Sequence, residues 1–180
     1  MCNIKLAGRV NDSITDGPGL RYTVFVQGCP HHCEGCHNPQ TWDFAGGTVG
    51  TTEELLDEIK ENPLLSGVTF SGGEPLCQAQ ELLDLAIKVK EMGLNLAIYT
   101  GFKFEYIMEH GSDAQKQLLS IADILVDGRF EQAKRDYRLK FCGSSNQRII
   151  DLHKSMLECR PVLDLSEKWN NLETIVGKVC

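Results

Sequence analysis

The chain reads as an α/β protein, specifically a partial, open (β/α) barrel of five or six mainly parallel strands. Three observations predict this. Short runs of β-branched and aromatic residues alternate with longer stretches of helical periodicity, the pattern of βαβ units with right-handed crossovers. The length, 180 residues, falls short of the about 250 that a closed eight-fold barrel usually takes. Glycine-rich or polar segments begin where predicted strands stop, as at the functional rim of a parallel barrel.

Residues 1–19 form a leading segment that ends in the turn Asp16-Gly17-Pro18-Gly19, where glycine and proline favour a sharp bend of little bulk. Leu20–Val26 is the first predicted strand. A helix opens at Thr51-Thr52-Glu53-Glu54, with Thr51 and Glu54 at capping-box spacing. It buries Leu55, Leu56 and Ile59 and stops at Asn62-Pro63. Gly67–Phe70 is the second strand and leads into Ser71-Gly72-Gly73-Glu74-Pro75. A second helix covers about 78–92, with Leu82, Leu83, Ala86, Ile87 and Val89 facing inward and Gly93 at its end. Leu94–Tyr99 is the third strand and stops at Thr100-Gly101. A helical region spans about 103–119, broken near Gly111. Ala122–Val126 is the fourth strand and stops at Asp127-Gly128, and Gln147–Ile150 is a fifth. The segment 152–180, with Trp169, Leu172, Ile175 and Val176, supplies one more strand or a closing helix. One domain over 1–180 is expected, with its core at about 8–151.

Acidic side chains outnumber basic ones, 25 to 18, for a formal net charge of −7. No cluster of Lys and Arg stands out, so neither nucleic acid nor an anionic membrane is an expected partner. No apolar run approaches the roughly 20 residues that cross a bilayer. Met1-Cys2-Asn3-Ile4-Lys5 leads into no long apolar stretch of a secretory signal. A cytoplasmic, reducing setting is therefore expected. There the 8 cysteines read as metal or redox ligands rather than disulfides.

The densest chemistry lies directly after the first strand, in Gln27-Gly28-Cys29-Pro30-His31-His32-Cys33-Glu34-Gly35-Cys36-His37-Asn38-Pro39. Cys29, Cys33 and Cys36 stand in C-x3-C-x2-C spacing on a loop rich in glycine and proline. Cysteine-only sets favour zinc or an iron–sulfur cluster. A structural zinc site closes with four protein ligands, whereas three thiolates on a cubane leave one iron open to a small molecule. The expectation is a [4Fe-4S] cluster on Cys29, Cys33 and Cys36. A cysteine-plus-histidine zinc site drawing on His31, His32 or His37 is the alternative, and it leaves the Gly72-Gly73 motif unexplained. Cys2, Cys77, Cys142, Cys159 and Cys180 lack cluster spacing and read as small hydrophobes.

This loop after a strand resembles the radical S-adenosylmethionine (SAM) enzymes. Asp16-Gly17-Pro18-Gly19-Leu20-Arg21, Cys36-His37-Asn38-Pro39-Gln40-Thr41-Trp42-Asp43 and Ser71-Gly72-Gly73-Glu74-Pro75 are similar to motifs of the glycyl-radical-enzyme activases. Gly143-Ser144-Ser145-Asn146-Gln147-Arg148 is similar to the branch that serves anaerobic ribonucleoside-triphosphate reductase. The match runs from about Gly8 to Asp151. The resemblance implies the partial barrel, SAM as second cofactor, that reductase as partner, and a low-potential electron donor such as a flavodoxin. It puts Gly73 and Glu74, with Gly72, at the methionine moiety. Gly35, Cys36 and His37 would border the adenine, although Gly35 stands where an aromatic residue is common. Thr100 and Asp127, at strand ends, are candidates for ribose or amine contacts, or plain turn residues. Asn146-Gln147-Arg148 falls at the start of the fifth strand, away from the rim, so either that strand is misplaced or the motif serves partner docking or structure. A related radical-SAM enzyme with a small-molecule substrate, or a non-enzymatic metal protein, would share the cysteine loop.

Overall fold

The computed structural model describes residues 2–171. Its strands are β1 (Asn3–Ser13), β2 (Arg21–Val26), β3 (Thr48–Thr51), β4 (Gly67–Gly72), β5 (Asn95–Thr100), β6 (Ile124–Asp127) and β7 (Arg148–Asp151). The helices are α1 (Thr52–Glu61), α2 (Ala79–Glu91), α3 (Phe104–His110), α4 (Asp113–Ile121) and α5 (Leu152–Glu158). One seven-stranded sheet runs in the order β3-β1-β2-β4-β5-β6-β7. Its middle, β2-β4-β5-β6, is parallel. The flanking pairs β1–β2, β1–β3 and β6–β7 are antiparallel.

The parallel centre is the predicted one, strand by strand. The expected five or six strands become seven because the leading segment and residues 48–51 each form a strand beside the five placed in the sequence. Ile4 and Leu6 are buried while Asn3, Lys5 and Ala7 are exposed, the alternation of a strand with one wet face. β3 is four residues long and carries only one apolar side chain, so it has no pattern to detect. It forms because β1 offers its outer edge.

The helices share one face of the sheet. Tyr22, Val24, Val26, Val68, Phe70, Leu96, Ile98, Leu125 and Ile150 pack there against the helices. α1 starts on the predicted capping box: the Thr51 hydroxyl accepts from the Glu54 amide and the Glu54 carboxylate accepts from the Thr51 amide. Leu55, Leu56 and Ile59 are buried as expected. In α2 the buried stripe is Leu82, Leu85, Ala86 and Val89, a strict i, i+3, i+4, i+7 set. Ile87, expected inside, is 43% exposed, because that set centres on Leu85 and turns residue 87 to the flank. The break near Gly111 is real: Ser112 and Gln115 form a second capping box that starts α4.

The opposite face carries a smaller core of Ala97, Ile124, Val126, Ile149 and Trp169. No helix covers it among the described residues, and loops line its mouth. The segment beyond 151 opens with α5, makes an isolated bridge from Leu163 to Ile150, and seats Trp169 over the Arg21 guanidinium. Leu172, Ile175 and Val176 lie outside the described residues. Among the described residues no helix is long and apolar enough to cross a membrane.

Candidate functional site

Parallel register brings four chain segments to one rim. Val26 pairs with Gly72 and Thr100 with Asp127, so β2, β4, β5 and β6 end together. The cysteine loop, Gly72-Gly73-Glu74, Thr100-Gly101 and Asp127-Gly128 follow those ends. A fifth segment joins them. β7 runs antiparallel to β6, and its first residue, Arg148, pairs with Asp127. Asn146-Gln147-Arg148, expected away from the rim, therefore stands on it.

The cysteine loop is closed on itself by backbone. The Gly28 amide donates to the Thr41 carbonyl at 2.8 Å, and the Cys29 amide to the Trp42 carbonyl at 3.1 Å. The buried Gln27 amide group donates to the Gln40 and Asp43 carbonyls at 3.1 and 2.7 Å. Cys29 is buried, and Cys33 and Cys36 are half-buried. The Cys36 sulfur accepts from the Asn38 amide at 3.4 Å. Burial pushes the Cys29 and Cys33 thiols above their ordinary value, and the neighbouring thiols add to the rise. A bound cation reverses that balance and holds thiolates.

All three thiols line a cavity of about 130 Å³, together with Gly72, Gly73 and Thr100. Among the described residues, no three His, Cys, Asp or Glu side chains converge on a single ion. Thiols spread round one cavity suit a cluster whose irons each take one sulfur. The histidines have other partners. His31 bonds Glu74, His32 packs edge-on to Trp42 at 4.9 Å, and His37 lies against Phe130 and 3.3 Å from the Arg135 guanidinium.

The Gly72-Gly73 turn is glycine for a reason nearer home than a ligand. A Cβ on Gly73 would stand 2.4 Å from the Gly28 carbonyl oxygen. The Gly73 amide donates to the Val26 carbonyl and the Glu74 amide to the Gly28 carbonyl, each at 2.8 Å. The turn lies backbone-to-backbone on the cysteine loop. Glu74 then points inward and is fully buried. Its carboxylate accepts from the Thr100 hydroxyl at 2.8 Å, the Gly101 amide at 2.8 Å and the Leu76 amide at 3.0 Å. His31 Nε2 meets it at 2.7 Å. The Glu74 side chain is thus a knot joining the cysteine loop to β4 and β5, and it offers a ligand only its backbone. Thr100 belongs to the same knot and also lines the cavity.

Asp127 is likewise fully buried. It accepts from Arg148 Nε at 2.9 Å and from the Phe104 amide at the start of α3 at 2.8 Å. Arg148 reaches on to Glu105, bidentate at 2.8 and 2.7 Å. That guanidinium holds the Glu105 carboxyl down at about 2. The Asp127 oxygens are therefore engaged within the protein, neither free for a ribose nor merely turn-forming.

A second cavity, of about 350 Å³, opens on the helix-free face and is lined by Asp16, Phe25, His37 and Phe141 among others. It shares Cys36, Ser71, Tyr99, Phe130 and Gln147 with the thiol cavity. Sequence reading missed Tyr99 and Phe130. Tyr99 ends a predicted strand without belonging to a motif, and Phe130 lies outside every motif of the sequence. Gln147 had a signal, the Asn146-Gln147-Arg148 run. Its side chain braces the rim by accepting from the Gly143 and Ser144 amides and donating to the Gly128 carbonyl.

Comparison with known proteins agrees with this arrangement. The 4Fe-4S single cluster domain family matches residues 15–150, a span that holds the cysteine loop and every strand end of the rim. Fold and site together define an iron–sulfur domain built for one cluster. The anaerobic ribonucleoside-triphosphate reductase-activating protein of Escherichia coli K12 is 33% identical over 147 residues, 77% of this chain and 93% of its own length. That of Vibrio cholerae is 35% identical over 144 residues, covering 76% and 90%. The pyruvate formate-lyase-activating enzyme of Clostridium pasteurianum is 45% identical over 124 residues, covering 64% and 51%. The chain belongs to the radical-SAM activases, in the family of the anaerobic ribonucleoside-triphosphate reductase-activating proteins. A solved structure, QueE from Escherichia coli, aligns with TM-score 0.45 and 20% identity over 55% of this chain and 52% of that one, a likeness too slight to argue from.

Proposed function

We propose that this chain activates an anaerobic ribonucleoside-triphosphate reductase by converting a glycine of that partner to a glycyl radical. It works as one radical-SAM domain, its sheet part of a barrel, in a reducing cytoplasm. Cys29, Cys33 and Cys36 would hold a [4Fe-4S] cluster and leave one of its irons for SAM. Bound and reduced, that cluster would supply the single electron that cleaves SAM to methionine and a 5′-deoxyadenosyl radical, and the radical would take a hydrogen atom from the partner's glycine Cα.

The protein's own part is placement, the usual division of labour with a reactive cofactor. The loop closed by Gln27 and the Thr41 and Trp42 carbonyls aims the thiols. The Gly72-Gly73 turn, seated on that loop, brings the end of β4 beside them. The His31–Glu74–Thr100 knot holds loop and strand ends in one arrangement. The Asn38 amide at the Cys36 sulfur, together with burial, tunes the cluster potential. Gly35, Cys36 and His37 border the space for adenine, and Asp127 shapes the rim through Arg148 rather than by reaching the ligand. The helix-free cavity next to the thiols is the place for the partner's glycine loop. The electron comes from a low-potential donor such as a flavodoxin.

The carrying observation is that all three thiols share one cavity with the ends of β4 and β5, and that this cavity runs into a second, larger one. The test is electron paramagnetic resonance on an anaerobic mixture of reduced protein, SAM and the reductase. A glycine-centred doublet is expected, with 5′-deoxyadenosine in step. Deoxyadenosine without that doublet would move the substrate to a small molecule. Absence of iron and sulfide from oxygen-free protein would end the proposal.

A further inference from the structure

Gly35, just before the last cysteine of the loop, offers a nucleobase no ring to lie on. We infer that Phe130, in the loop after β6, is the aromatic surface that takes the adenine of SAM. This rests on the SAM reading above and assigns the binding residue for its nucleoside half.

The ring lies close to two glycines and takes the room that one of them, Gly143, leaves. A Cβ on Gly35 would lie 3.4 Å from Phe130 Cε1 and 1.6 Å from Gln132 Oε1, and Gly35 holds φ at +70°. On the other side, a Cβ on Gly143 would lie 2.9 Å from Phe130 Cδ2. The loop after β6 thus packs directly on the cysteine loop: the Gln132 side chain fills the space over Gly35, and the Phe130 ring lies beside it at van der Waals distance.

The ring is also held in place. It shares the lining of the thiol cavity with Cys33. The ring centroid is 5.4 Å from that of His37, tilted by 41°, and Arg135 lies 3.3 Å from His37 Nε2. Yet Phe130 is only half-buried, and its exposed part faces both the thiol cavity and the larger one. A molecule anchored by its amino-acid end beside the thiols must run its nucleoside past this boundary. A flat, electron-rich ring there suits a purine face.

The test uses anaerobically reconstituted full-length protein with SAM as the probe in equilibrium dialysis. Phe130→Leu leaves all three thiols in place, so iron, sulfide and visible absorbance are expected to match wild type. SAM binding is expected to weaken roughly 5- to 100-fold, the range of one base–aromatic stack. Phe130→Tyr is expected to bind within about twofold to threefold of wild type, since a ring is restored. Equal SAM affinity in Phe130→Leu and wild type would overturn the assignment while leaving the SAM reading intact. So would loss of the cluster in Phe130→Leu, which would make the ring a support for the loop. Wild-type protein with a full cluster but no SAM affinity would remove both.

Discussion

Gly73 shows how a residue can sit in a functional motif for a reason of chain packing. Its missing side chain lets the β4 turn lie on the Gly28 carbonyl. Gly73→Ala is therefore expected to lower iron content together with SAM affinity, because the displaced turn carries the cysteine loop with it; iron and sulfide analysis beside dialysis checks this. SAM affinity lost at full iron content would return the glycine to a purely ligand-facing role. The cysteines divide differently. Replacing Cys29, Cys33 or Cys36 by Ala is expected to abolish the cluster's visible absorbance. Cys77→Ala, at an exposed thiol outside the thiol cavity, is expected to leave it unchanged. Equal losses would refute the ligand set. The thiol set was legible because its spacing is local. Glu74 and Asp127 were not, since their partners His31, Thr100, Phe104 and Arg148 lie far off in the chain.

Among the elements, α1 was legible at both ends because its start and stop are short-range chemistry. Thr51→Ala removes one half of the capping box, and a loss of about 1 kcal/mol is expected in urea denaturation. A change near zero would mean that tertiary packing alone sets the start of α1. β1 was legible in principle, for Ile4 and Leu6 alternate with exposed neighbours; the bulges at Leu6/Gly8 and Val10/Ser13 blur the pattern beyond that point. β3 was not legible at all, since its pairing with β1 supplies what its composition lacks. The inward face of α2 was read correctly for Leu82, Ala86 and Val89 and wrongly for Ile87. Periodicity defines a stripe, but the sheet beneath chooses its centre line.

For the molecule as a whole, the Arg148 link ties β6, β7 and α3 into the rim. Arg148→Ala strips the buried Asp127 of its cation and is expected to destabilise the protein by about 3 kcal/mol, read by urea denaturation. A loss under about 1 kcal/mol would show that the link is dispensable. The same cluster has a pH signature. The Glu105 carboxyl, held at about 2 instead of 4.5 by Arg148, is a depressed acid. It adds stability above pH 4.5 that is lost as pH falls toward 2. The stability gap between wild type and Glu105→Gln is expected to narrow over that interval and to stay level above it. A gap that widened with acid would contradict the pairing.

The parallel βαβ centre, the cysteine loop after its first strand and the glycine turn after its second are all legible in the amino-acid order. Each is written in neighbouring residues, as periodicity, capping or ligand spacing. It took the folded chain to reveal that β7 runs antiparallel, which carries Asn146-Gln147-Arg148 back to the rim. Only the fold decided that Glu74 and Asp127 turn inward, and that Gln132 and Phe130, from the loop after β6, cover Gly35. Those outcomes depend on which distant segments share an edge or a cavity. Hydrogen bonds and packing between remote parts of the chain settle that, and they leave no local pattern behind.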